Sequence, residues 1–391
     1  MSREGTGRLV TVRRPVPEAA DRIRMAWDAG DAVLVLDPRA PDAEVERVVG
    51  RVRPDAGVAP EVAAVVVTSG TSGAPKGVEL TWEGLAAASA AISEALEVDP
   101  ARDRWLACLP LHHVAGLAVL GRAWLTGTPV TVLPRFDVAA VAAAAGEATL
   151  VSLVPTMLRR LWDAGADTGR FRRILLGGGP VAERGPNIVA TYGLTETWGG
   201  VVHDGWPLAG VELRIGDNDE ILVRAPMVMR GYRLAPEETA RAFAAGGWLR
   251  TGDAGTLEPE PEAGVGAGGR LRVVDRLRDL IITGGVNVSP SEVEGVLVGH
   301  PGVADVCVAG AADPEWGERV VAHVVPADAA KPPALEELRA FAADRLSAAK
   351  LPRQVVITAE IPRTAGGKPL RRLLRADSAG GDHRPARPPD G

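Results

Sequence analysis

Several things are scarce in this chain, and each scarcity excludes a class of partner or setting. Basic residues are not in surplus: 44 Lys and Arg face 50 Asp and Glu, for a formal net charge of -6. Such a balance provides no field to hold a nucleic-acid backbone or an anionic bilayer, so small molecules are the expected partners. Cysteine is confined to Cys108 and Cys307, far apart inside the apolar runs WLACLPL and VADVCVAG. Buried thiols in a reducing compartment are expected there, and a disulfide framework is not. No charged start leads into an apolar run with a cleavage site, and no stretch of ~18 uninterrupted apolar residues occurs. A cytoplasmic protein without nucleic-acid or membrane partners is therefore expected, and a homodimer stays open.

Lysine is the scarcest cation. It occurs only at Lys76, Lys331, Lys350 and Lys368. An ammonium is a compact point charge on a flexible stem, unlike the planar guanidinium, so a lysine retained among so many arginines merits inspection. Lys76 and Lys368 both lie in Gly-rich loops.

The length allows one large core and one small one. From about Asp31 to Ala190, short β-branched or Leu-rich runs alternate with Ala-rich helical ones. That alternation predicts an α/β fold, with strands at AVLVLD, AAVVVTS, WLACLP, PVTVLP, TLVSLVP and RRILLGG. Their near-continuous apolar character suits a sheet covered on both faces. After Gly205 the texture changes to short strands and turns (GVELRIG, DEILVRA, GRLRVVDR), an attached β unit. From Asp279 the order β-α-β-β-α-β predicts a separate small α+β domain. The expected organisation is an N-terminal domain over 1–275, a hinge at 276–278, a mobile C-terminal domain over 279–377 and a disordered tail over 378–391.

The strand AAVVVTS runs into Thr68, Ser69, Gly70, Thr71, Ser72, Gly73, Ala74, Pro75, Lys76 and Gly77. Glycines let backbone N–H groups approach an anion, the hydroxyls donate further hydrogen bonds, and the ammonium supplies charge, so the loop can wrap polyphosphate. It is not the P-loop pattern, because Pro75 precedes the lysine and no Ser or Thr follows it. The competing reading is a Ser- and Gly-rich surface turn.

VVVTSGTSGAPKG resembles the signature loop of the superfamily of acyl-CoA synthetases, adenylation domains and firefly luciferase. Further motifs of that superfamily follow in order: Gly177-Gly178-Gly179-Pro180, Thr191 to Glu196 (TYGLTE), Gly247 to Asp253 (GWLRTGD), Asp275 to Asp279 (DRLRD), Gly284-Gly285-Val286-Asn287, and Pro362 to Lys368 (PRTAGGK). The similarity covers about Val62 to Arg372 and implies an adenylate-forming enzyme using ATP, Mg2+ and coenzyme A. The segment before the first loop is shorter than in typical members.

What the resemblance implies for each motif has a physical counterpart. Tyr192, with Gly193 beside it, offers a flat face to adenine, and Gly177, Gly178 and Gly179 let the base lie against backbone. Thr195 donates to the α-phosphate. Glu196 binds Mg2+, since a hard cation bridging phosphate oxygens takes one or two carboxylates from protein. Asp253 accepts from the ribose hydroxyls, or is a turn-capping Asp. Arg276 contacts the nucleotide at the domain junction, with Arg278 at the hinge. Lys368 serves adenylation, and Gly284 and Gly285 line the path of the CoA thiol after the C-terminal domain turns.

The acid is expected between His112-His113-Val114-Ala115-Gly116, the strand end at Ser152 to Pro155, and the stretch after Glu196. There Trp198 forms a wall, with Gly199 and Gly200 as vacancies that suit a ring-bearing acid. No acidic residue at Thr197 to Val202 meets an amino group, which argues against an amino-acid substrate. The length, the early loop, PLHHVAG and YGLTETWGGVVHDGWPLAGVELRI look most like the short actinobacterial o-succinylbenzoate–CoA ligases of menaquinone biosynthesis. Their substrate has a second carboxylate, for which His113, Ser152 and His203 are unranked candidates. Another aryl- or short-acid CoA ligase and a carrier-loading adenylation module are the alternatives.

Overall fold

A computed structural model describes residues 5–68, 75–179, 181, 185–258, 269–363 and 369–377. Ser69 to Gly73 of the first loop, Lys368 and the tail lie outside the described residues. The chain divides into two compact units. The described residues of the larger unit fall within Met1–Gly216, Ile221–Thr251 and Leu257–Arg272, and those of the smaller within Asp217–Glu220, Gly252–Thr256 and Val273–Gly391. The junction near the expected hinge thus falls at Arg272 and Val273, and a short stretch holding Asp253 counts with the smaller unit.

All six predicted strands form, because each is a short apolar run that fills a sheet interior. One sheet of the larger unit runs Leu9–Val12, Ala32–Val35, Val62–Thr68, Lys76–Thr81, Gly231–Tyr232. Its first two pairings are parallel and its last two antiparallel. A seven-stranded sheet runs Trp206–Pro207, Gly199–His203, Ile188–Leu194, Arg173–Leu176, Leu150–Leu153, Trp105–Ala107, Val130–Val132. It is parallel from Ile188–Leu194 onward and antiparallel before it. Helix Trp82–Ala95 is capped by Thr81, whose hydroxyl accepts from Gly84 N at 3.0 Å. The apolar helix Val114–Thr126 is buried along most of its length, and the two pack together in the main core with Trp105 and Leu150. In the parallel part of this sheet Gly177 and the TYGLTE turn lie past the carboxyl ends of their strands, the edge where open α/β sheets bind ligands.

The smaller unit has the predicted order: strand Ile281–Thr283, helix Pro290–Leu297, strands Val303–Asp313 and Gly317–Pro326, helix Leu335–Ala343 and strand Gln354–Ile357. Two elements were not anticipated. Strand Val286–Val288 closes a hairpin on Ile281–Thr283, and helix Arg371–Asp377 follows the last motif. Val293, Leu297, Val308, Val320, Val324 and Leu338 are the centre of a core of its own.

Candidate active site

The first loop leaves strand Val62–Thr68 and returns as strand Lys76–Thr81, with Thr68 in register with Lys76. Lys76 is therefore the first residue of a strand, its ammonium 4.8 Å from the centroid of the Tyr232 ring. Tyr232 sits on the neighbouring strand, in register with Val78, and its hydroxyl donates to Glu196 Oε1 at 2.9 Å. Glu196 lies in the short turn Thr195–Thr197, which is tied by Leu194 N to the Thr197 hydroxyl (3.0 Å) and by Met229 N to the Glu196 carbonyl (2.7 Å). Lys76, Thr195, Glu196 and the unforeseen Tyr232 are thus gathered by two adjoining strands and one turn.

Three glycines of this edge answer to close approach. A Cβ on Gly193 would stand 1.8 Å from the Gly199 carbonyl oxygen, one on Gly200 2.2 Å from the Thr191 hydroxyl, and one on Gly177 2.6 Å from Thr191 Cγ2. Gly199, at φ +101, has nothing within 4 Å of a Cβ and is a true vacancy. Gly178 is also left-handed, at φ +84. Tyr192 is half-buried, in register with Val202.

The expectation for Trp198 fails. Its indole is 1% exposed and donates to the Thr81 carbonyl at 3.0 Å, so it fills the core beneath helix Trp82–Ala95 and presents no wall to an acid. The backbone explains the reversal: Trp198 takes the left-handed conformation (φ +54) where the Thr195–Thr197 turn ends, which directs its side chain inward.

His112 and His113 lie before helix Val114–Thr126, their ring centroids 4.4 Å apart. Burial, and then the neighbouring His113, push His112 down to about 4, so its ring is neutral near pH 7 although Asp37 Oδ2 is 3.9 Å away. His113 is exposed and Ser152 is buried in its strand.

Of a second group, His203 was a candidate in the sequence and Arg122 was not. Arg122, inside the buried helix Val114–Thr126, is 4% exposed, and its Nη1 has no hydrogen-bond partner. Its guanidinium lies over Trp105 at 4.7 Å, and burial pushes it down to about 10. Beside it His203 is buried with both ring nitrogens unpartnered, held down to about 4 by burial and then by the Arg122 charge. The Thr191 hydroxyl, in register with His203 on the next strand, is also unpartnered. Among the described residues no carboxylate pairs with Arg122. A buried guanidinium without a counter-ion is costly, and an anionic ligand relieves that cost. The signal was a lone charged residue in VAGLAVLGRAWLT. A cavity of about 500 Å3 reaches His203 past Arg173 and Ile188, at the amino ends of their strands, and is lined by none of Lys76, Gly177 to Gly179 or Thr191 to Glu196.

In the smaller unit Asp253 is buried and accepts from Arg276 Nε at 2.8 Å, which brings these two expected nucleotide ligands together. Asp275 accepts from Ser289 Oγ at 2.8 Å and Ser291 N at 3.0 Å, fixing the chain before Arg276 to helix Pro290–Leu297. Gly284 and Gly285 (φ +57 and +77) are the two-residue turn of the hairpin, where left-handed residues match the strand twist. A Cβ on Gly284 would meet Trp316 at 2.7 Å. The lysine motif is anchored on both sides: Arg363 bridges to Pro369, and Arg371 binds Glu294 with two hydrogen bonds of 2.8 and 2.7 Å.

Among the described residues no cluster of three or more His, Cys, Asp or Glu could hold a metal ion. A lone carboxylate such as Glu196 fits Mg2+, which keeps waters and phosphate oxygens as its other ligands. Both cysteines are free and buried. No helix among the described residues is long and apolar enough to cross a membrane.

Both units have counterparts among known proteins. The model of the AMP-binding enzyme family matches residues 9–233, and that of the AMP-binding enzyme C-terminal domain matches residues 292–368. The "Probable 2-succinylbenzoate--CoA ligase" of Mycobacterium tuberculosis (strain H37Rv) is 37% identical over 370 residues, covering 90% of this chain and 92% of that protein. The o-succinylbenzoate CoA synthetase of Bacillus subtilis, solved with the acyl-adenylate intermediate OSB-AMP, superposes with a TM-score of 0.83 at 28% identity, over 97% of this chain and 89% of that one. The same synthetase with ATP and a magnesium ion gives 0.82 at 28% identity, over 95% and 90%. Phosphate loop, TYGLTE turn and C-terminal unit therefore have one explanation: the chain belongs to the AMP-binding enzyme family of adenylate-forming enzymes.

Proposed function

We propose that the protein is an AMP-forming 2-succinylbenzoate–CoA ligase. Its first half-reaction joins a carboxylate oxygen to the α-phosphorus of ATP and expels pyrophosphate. In the second, the CoA thiol loses its proton, its sulfur bonds to the acyl carbon, and AMP leaves with the C–O bond pair.

Lys76 and the hydroxyls of its loop hold the phosphates, Thr195 donates to the α-phosphate, and Tyr192 flanks the adenine. Glu196 would hold Mg2+, which would supply positive charge to the phosphates. Asp253 and Arg276 take the ribose. Lys368 supplies a cation to the oxygens on which negative charge builds in adenylation, a stabilisation stronger in the transition state than in the ground state. Gly284 and Gly285 leave room for the thiol arm.

One observation carries the choice of acid: a buried guanidinium with no carboxylate, beside a neutral His203 and the Thr191 hydroxyl. A substrate that activates one carboxylate and keeps a second provides the missing counter-ion. His203 and Thr191 add hydrogen bonds, and the Gly199 vacancy accommodates the ring.

Incubating the protein with ATP, Mg2+ and a panel of acids, and following pyrophosphate release with and without CoA, tests this reading. 2-Succinylbenzoate is expected to exceed benzoate, acetate, fatty acids and amino acids. Arg122→Met should raise the KM for 2-succinylbenzoate about 10- to 100-fold, for a lost charged hydrogen bond of ~1.5 to 3 kcal/mol, and leave the KM for ATP nearly unchanged. Benzoate accepted as well as 2-succinylbenzoate, or an unaltered acid KM in the variant, refutes it.

A further inference from the structure

The chain has two tyrosines. Tyr192 belongs to the TYGLTE motif, and Tyr232, outside every motif above, touches both charges of the phosphate end of the site. Its ring lies beneath the Lys76 ammonium at 4.8 Å, while its hydroxyl donates to Glu196 Oε1 at 2.9 Å. Among the described residues neither Lys76 nor Glu196 is in an ion pair.

We infer that Tyr232 is a positioning residue that keeps these opposite charges apart and aimed at the ligand. A lysine and a glutamate that paired with each other would each have to be stripped of its partner before meeting phosphate or Mg2+. The tyrosine satisfies both separately. The face of the ring attracts the cation, and the hydroxyl occupies one carboxylate oxygen, leaving the other for the metal. Partners that orient a metal-binding carboxylate are commonly worth about 10- to 100-fold in metal affinity.

The surroundings hold Tyr232 to this task. Arg230 N and Arg233 N, on either side of strand Gly231–Tyr232, donate to the carbonyls of Glu79 (2.9 Å) and Gly77 (2.8 Å). Tyr232 N donates to the Thr239 hydroxyl at 2.8 Å. The buried Arg233 guanidinium binds Glu79 Oε1 at 3.0 Å and the carbonyls of Arg53 and Gly57 at 2.8 and 2.6 Å, and also donates to the Val52 carbonyl. Arg230 adds a bond to Glu79 Oε2 at 2.8 Å. Five charged and carbonyl partners thus fix the backbone that carries one phenol.

The inference rests on the assignment of Glu196 to Mg2+ and Lys76 to phosphate. The test is ATP binding without acid, by isothermal titration calorimetry, in Mg2+ and in EDTA. Wild type is expected to bind ATP more tightly with Mg2+. Tyr232→Phe keeps the ring and loses the hydroxyl, so it should lose about 10-fold or more of that Mg2+-dependent gain and bind as wild type does in EDTA. Tyr232→Leu should lose affinity in EDTA as well. Circular dichroism and thermal melting confirm that both variants are folded. If wild type shows no gain with Mg2+, the underlying assignment fails. If wild type shows the gain and Tyr232→Phe retains it, or loses affinity equally in both conditions, the positioning role is overturned.

Discussion

At the scale of single residues, Asp253, proposed to take the ribose, is fixed by its surroundings. Its carboxylate is buried and engaged by Arg276 Nε at 2.8 Å, so the acceptor is already oriented. Removing it deletes hydrogen bonds from the ribose to a charged acceptor, ~1.5 to 3 kcal/mol each before water compensates, and leaves Arg276 without its anion. Asp253→Ala should therefore raise the KM for ATP by about tenfold or more, with the KM for the acid little changed. Initial-rate kinetics with each substrate varied in turn decide the matter, and a change confined to the acid would remove Asp253 from the ribose.

At the scale of elements, the two central strands of the site, Ile188–Leu194 and Gly199–His203, meet so closely that Gly193 admits no side chain. Gly193→Ala should break the pairing next to Glu196 and lower both the melting temperature and adenylation. Gly50 is the internal control: it lies in helix Asp42–Val52 with nothing within 4 Å of a Cβ, so Gly50→Ala should gain ~0.5 to 1 kcal/mol in chemical denaturation. An unaffected Gly193→Ala would mean that the strands are further apart than described.

Elements were also where the sequence was most legible. Continuous apolar runs announced the strands, and the motifs named Lys76 and Glu196, which meet at one tyrosine, and Asp253 and Arg276, which pair. The misses have a common origin in contacts between distant parts of the chain. Tyr232 reaches Glu196 across 36 positions through a two-residue strand that no periodicity reveals. Arg122, which was not anticipated, comes beside His203, which was, only once a strand and a helix have packed. Trp198 was misread because one left-handed residue decides which side of the strand its ring takes, and sequence pattern does not show that torsion.

For the whole molecule, the assignment of Lys368 implies division of labour between half-reactions. Lys368→Ala should slow pyrophosphate release from acid and ATP by about 10^2- to 10^3-fold, the usual cost of one transition-state donor. Given synthetic acyl-adenylate and CoA, the same variant should form thioester at close to the wild-type rate. Equal losses in both half-reactions, in a folded protein, would exclude alternation of the small unit.

The unpartnered guanidinium also bears on how such a chain evolves. On the proposal that Arg122 holds the second carboxylate of the acid, its Nη1 without a hydrogen-bond partner makes the empty protein less stable than an apolar residue would, and the substrate is what retains it. A lineage freed from handling a doubly charged acid would drift to leucine or methionine at this position early, gaining stability while every nucleotide motif stayed intact. On that proposal the residue at position 122 reports on the substrate, independently of the motifs that report on the chemistry.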